Sequence, residues 1–102
     1  DMYQISMSYA YWKADRQNDH AVFDLFFRKN PFEGEYCIFA GLDQVLKFIS
    51  TFKFTQSDIE YLKSIMPGCD AGFFEYLLNI DCSELKIYSV ADGTVSRTIS
   101  SV

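Results

Sequence analysis

The sequence predicts an α+β fold, and three observations carry that prediction. Apolar residues recur at helical spacing in four segments, and they alternate in period two in others. The order is helix, two strands, three helices and then strands, which is not the strict βαβ alternation of a parallel sheet. At 102 residues the chain is at most one small domain, and its 18% aromatic content excludes disorder.

Residues 2–14 form the first helix, and their apolar residues fall into two groups. Tyr3, Met7, Ala10, Tyr11 and Ala14 gather on one side, while Met2, Ile5, Tyr9 and Trp12 gather roughly opposite. A surface helix needs one such stripe; two stripes need cover on both sides, and this chain is expected to supply only one cover. The polar run Asp15 to Asp19 ends the helix. Residues 21–28 alternate, with Phe23, Leu25 and Phe27 on one face and Val22, Asp24, Phe26 and Arg28 on the other, which predicts a strand. Pro31 and Gly34 make a connection to a second short strand at 36–40.

Gly41 leads into a helix over 42–51, with Leu42, Val45, Leu46 and Ile49 at helical spacing. Thr55 stands three residues ahead of Asp58, a capping-box start for a third helix. Ile59, Leu62 and Met66 are its buried stripe, and Pro67-Gly68 stops it. Residues 71–80 form a fourth helix facing inward with Phe73, Phe74, Leu77 and Leu78. Residues 83–90 read as a strand, Asp92-Gly93 as a hairpin-type turn, and 94–100 as a strand pairing back with Val95 and Ile99 on one face.

Several function classes drop out on composition. A net charge of −5 lacks the basic footprint that nucleic acid requires. No stretch is long and apolar enough to span a membrane. Cys37, Cys69 and Cys82 are odd in number and widely spaced, which predicts inert thiols in a reducing, cytosolic compartment. His20 has no cysteine or histidine cluster around it, so no metal site is expected. No nucleophile elbow, P-loop or dinucleotide fingerprint is present. Asp58 and Glu60 lie two apart on a helix and cannot face each other, and Asp81 with Glu84 reads as solvated charge. No catalytic residue is assigned. Two features remain: Tyr3, a flat ring with a hydroxyl at a helix start, and Arg28 with Lys29, a basic end to an apolar segment.

The blocks "DMYQISMSYAYWKA", "AVFDLFFRKNPFEGEY", "FAGLDQVLKFI", "FKFTQSDIEYLKSIMP" and "FFEYLLNIDCSELKIYSVADGTV" resemble, in this order, the amino-terminal part of the nicotinate phosphoribosyltransferases, the animal-type enzymes above all. The resemblance runs from Asp1 to about Val95. It implies a type II phosphoribosyltransferase fold, in which an amino-terminal α/β domain joins an irregular α/β barrel. It implies conversion of nicotinate and 5-phosphoribosyl-1-diphosphate to nicotinate mononucleotide and diphosphate in NAD salvage, with ATP as co-substrate and Mg2+ in the full enzyme. It further implies a homodimer with active sites at the subunit interface. There the tyrosine of the D-x-Y-Q motif, here Tyr3, meets nicotinate across the interface. The arginine of the F-F-R-K-N-P-F block, here Arg28, is carried over as a phosphate contact, with Lys29 beside it. A nicotinamide-using relative fits the "FFRKNPF" and "FAGL" blocks less well.

The resemblance also implies a boundary. Residues 1–95 are expected to be the family's amino-terminal domain and 96–102, "SRTISSV", a divergent tail or truncation end. The barrel is expected to be missing, so the chain is expected to be inactive alone. The alternative is a truncated domain that serves as a protein-interaction module.

Overall fold

Local chemistry decides where the helices of this chain start and stop. The computed structural model describes residues 1–97, with the order α1 (Met2–Lys13), a 3-10 turn (Pro31–Glu33), β1 (Cys37–Ile38), α2 (Leu42–Thr51), α3 (Gln56–Ile65), α4 (Ala71–Asn79) and β2 (Val95–Ser96). Helix α1 closes with Asp15 in the left-handed region at φ 57°. The N–H groups of Asp15 and Arg16 reach back to the carbonyls of Trp12 and Tyr11, a Schellman closure usually built on glycine. Helix α3 opens with the expected capping box. The Thr55 hydroxyl accepts the Asp58 N–H at 3.2 Å, and the Asp58 carboxylate accepts the Thr55 N–H at 2.8 Å.

The chain divides into two units. The first joins residues 1–22 to 53–81 and contains α1, α3 and α4. Its core is Ile59, Leu62, Phe73, Phe74 and Leu77. Phe73 is at the centre, fully buried, with ring centroids of Tyr9 at 5.0 Å, Trp12 at 5.9 Å and Phe74 at 5.9 Å. Such offset and tilted pairs each add about 0.5–1.5 kcal/mol to the burial of the rings. Met66 and Leu78 pack on the edge of this core as half-buried residues.

The two stripes of α1 separate as expected. Ile5, Tyr9 and Trp12 pack against the core, whereas Tyr3, Met7 and Tyr11 are exposed. Met2, grouped with the packed stripe, is also exposed, because it sits at the helix end beyond the core's reach. At the other end of α1, Lys13 Nζ meets Asp70 Oδ2 at 2.8 Å.

The second unit joins residues 23–52 to the segment from 82 onward. Its sheet is antiparallel and pairs Cys37 with Ser96 and Ile38 with Val95. Phe39 and the Asp92-Gly93 turn extend this pairing, since Phe39 N–H donates to Thr94 and Gly93 N–H to the Phe39 carbonyl, both at 2.8 Å. Gly93 and Gly41 have φ of 88° and 108°, a conformation that a side chain would strain. The Asp92 carboxylate accepts the N–H of Leu42, tying the turn to the start of α2. Leu42, Val45 and Ile49 are half-buried as the helical spacing predicts, but Leu46 is exposed.

Three expectations need correction. Residues 21–28 form no strand; they are irregular and exposed, with Val22 at 96% and Phe23 at 88% of full accessibility. Residues 83–90 form no strand either. The final strand therefore pairs with β1 and not across the Asp92-Gly93 turn. Alternation states which side of a segment can be covered, but a strand also needs a neighbour for its N–H and C=O groups. Among the described residues β1 and β2 use each other as that neighbour. Ile99 lies outside the described residues.

Candidate functional site

Tyr3 is the second residue of α1 and belongs to the first unit. It lies nine residues before Trp12, about 900° or two and a half turns, so the two side chains leave the helix in opposite directions. Trp12 is taken up by the core and Tyr3 is left 65% exposed. Asp1 is the N-cap residue, yet its side chain makes no cap hydrogen bond. An exposed phenol at a helix start offers a flat face for stacking and a hydroxyl for one hydrogen bond.

Arg28 and Lys29 belong to the second unit, in a bend that follows the irregular segment. Phe27, Lys29, Pro31 and residues 37–40 line a shallow depression of about 330 Å³. Phe27 and Lys29 flank Arg28 in the chain, and both line the hollow while Arg28 does not. Both cations are exposed, and among the described residues neither takes part in an ion pair. A guanidinium in this state can grip two oxygens of a phosphate at once, while the Lys29 ammonium acts as a point charge at the rim of an apolar hollow.

Sequence reasoning did not find this depression, because it forms only when residues 37–40 return alongside 27–31. The Pro31 turn was the one available signal. Two perturbed titrations among the described residues lie elsewhere. The Lys13 ammonium is held above its ordinary pKa by its hydrogen bond to the Asp70 carboxylate and by that group's charge. Hydrogen bonds from the Thr55 hydroxyl and N–H hold the Asp58 carboxyl below its ordinary value. Both serve the fold. Cys37, Cys69 and Cys82 are free thiols, and among the described residues no group of three or more His, Cys, Asp and Glu gathers to hold a metal ion. No described helix is long and apolar enough to cross a membrane.

Comparison with known proteins adds what the geometry lacks. Residues 1–100 match the family described as the nicotinate phosphoribosyltransferase (NAPRTase) N-terminal domain. The chain is 54% identical over 96 residues to nicotinate phosphoribosyltransferase of Caenorhabditis elegans, covering 93% of this chain and 17% of that protein. It is 48% identical over 95 residues to nicotinate phosphoribosyltransferase 1 of Arabidopsis thaliana, with the same coverage. It is 38% identical over 97 residues to the Homo sapiens enzyme, covering 94% of this chain and 18% of that one. The chain thus spans less than a fifth of the length of these relatives. Within that span the match is nearly continuous, and the chain belongs to the nicotinate phosphoribosyltransferase family, in the part that forms its amino-terminal domain.

Proposed function

We propose that this chain is the amino-terminal segment of a nicotinate phosphoribosyltransferase and contributes positioning contacts to the making of nicotinate mononucleotide in NAD salvage. The single observation that carries this is the split of α1: one stripe packs on the segment's own core, and the stripe bearing Tyr3 stays open to a second body. On this reading that second body is the partner subunit of a homodimer. Tyr3 stacks on the pyridine ring there and holds its nitrogen in line with the anomeric carbon of 5-phosphoribosyl-1-diphosphate. As diphosphate leaves, positive charge builds on the sugar, and catalysis is mainly positioning and charge stabilisation. Arg28, with Lys29 beside it, engages phosphate oxygens. The segment provides no bond-making group, and ATP coupling and Mg2+ belong to other parts of the enzyme.

The test is kinetic. Completing residues 1–96 with the remainder of the Caenorhabditis elegans relative gives a full-length enzyme in which Tyr3 can be varied. Tyr3→Ala raises the nicotinate KM about five- to tenfold, the scale of one aromatic stacking contact. Tyr3→Phe stays near the parent. An unchanged KM in Tyr3→Ala rejects the stacking role. The 102-residue chain alone forms no nicotinate mononucleotide.

A second reading, a non-catalytic interaction module, draws on the exposed run Val22, Phe23, Leu25, Phe26 and Phe27, since uncovered apolar surface marks an interface. Product formation by the completed enzyme, with a nicotinate KM raised by Tyr3→Ala, favours the first reading over this one.

A further inference from the structure

We propose that the contact between Trp12 and Gly72 is a positioning device for Tyr3. The space left by the missing side chain of Gly72 seats the Trp12 indole, and the seated indole sets how far the opposite side of α1 projects. This rests on the reading that Tyr3 meets nicotinate, and it names the residues that hold Tyr3 at the required depth.

A Cβ added to Gly72 would lie 3.3 Å from both Cη2 and Cζ2 of Trp12. Carbon atoms in ordinary contact sit about 3.5–4.0 Å apart, so the seat has no slack. Glycine is otherwise a poor residue here. It is the second residue of α4, where it brings no helix propensity that alanine would not exceed. Its backbone is not left-handed, unlike that of Gly41 and Gly93, so backbone freedom does not account for it. Room for the indole does.

The same end of α1 carries its other ties to α4. Asp70, two residues before Gly72, donates its N–H to the Tyr9 hydroxyl and receives the Lys13 ammonium. The Tyr9 and Trp12 rings lie nearly parallel, 17° apart, with centroids at 6.2 Å. Ile5 adds an aliphatic contact on the same side. Tyr3 leaves the helix half a turn from Trp12 and about 13.5 Å before it along the axis, so raising the indole off α4 tilts α1 and changes how far the Tyr3 ring projects.

The experiment uses the completed full-length enzyme, with Tyr3→Ala as the reference. Gly72→Val fills the seat and raises the nicotinate KM about fivefold or more, while the KM for 5-phosphoribosyl-1-diphosphate is unchanged. Trp12→Phe, a shorter ring, placed in the Gly72→Val background returns the nicotinate KM toward the parent. Gly72→Ala is the milder variant for use if Gly72→Val does not accumulate as folded protein; it shifts the same constant in the same direction. If Tyr3→Ala raises the nicotinate KM but neither Gly72 variant does, or the Gly72 variants alter both substrates alike, the positioning role is overturned and the Tyr3 reading stands. If Tyr3→Ala has no effect, the Tyr3 reading falls and this inference falls with it.

Discussion

The hydroxyl of Tyr9 accepts the backbone N–H of Asp70 at 3.3 Å, and the carboxylate of the same Asp70 accepts Lys13 at 2.8 Å. Asp70 is the N-cap residue of α4, but its side chain does not cap its own helix. It is turned toward Lys13 instead. The start of one helix is thereby fastened to the end of another, in contacts that span 57 and 61 residues of sequence.

Tyr9→Phe removes the acceptor and leaves the ring in place. The expected loss is about 0.5–1.5 kcal/mol, the usual worth of one hydrogen bond, read from urea unfolding of the chain. Lys13→Ala moves the midpoint less than Tyr9→Phe does, because both partners of that ion pair are half exposed and solvent screens them.

Asp15→Gly stabilises the chain. Asp15 holds a left-handed conformation that costs an L-residue about 1 kcal/mol or more, and glycine meets it freely. The gain is about 0.5–1 kcal/mol after allowance for glycine's freer unfolded state, measured as a higher unfolding midpoint. A lower midpoint contradicts the closure described for α1.

The start of α3 is sensitive to acid. Hydrogen bonds from Thr55 lower the Asp58 pKa in the folded chain, so their contribution is complete above the ordinary value of 3.8 and is lost as pH falls through the depressed one. Helicity followed by circular dichroism between about pH 5 and pH 2 shows this loss, and Asp58→Asn removes that part of the pH dependence. Thr55→Ala costs about 1 kcal/mol at neutral pH.

Core and exposed phenylalanines respond oppositely. Phe73→Ala costs about 3–5 kcal/mol and markedly lowers the unfolding midpoint in calorimetry. Phe23→Ser leaves the unfolding midpoint of the isolated chain within about 0.5 kcal/mol and lowers its binding of a hydrophobic dye.

The helices were legible because their signals are local. Thr55 and Asp58 are three residues apart, and Pro67-Gly68 directly follows the helix that it ends. The split of α1 was legible for the same reason, since a 100° step per residue puts Tyr3 opposite Trp12. Residues 21–28 and 83–90 were misread because alternation says nothing about the neighbour that a strand needs. Lys13 with Asp70, and Trp12 with Gly72, left no local trace at all. The hollow beside Lys29 depends on chain return, which spacing does not encode.

The first unit is stitched from two stretches with residues 23–52 running between them. Helices α3 and α4 are separated by a short turn and can meet early, whereas α1 must find them across a long excursion. The entropic penalty of such a closure rises only as the logarithm of its length, so it weighs on speed far more than on final stability. The α3–α4 hairpin is then the platform that assembles first, and the aromatic rod docks on it last. Damage to Trp12 should accordingly quicken unfolding while refolding keeps its pace.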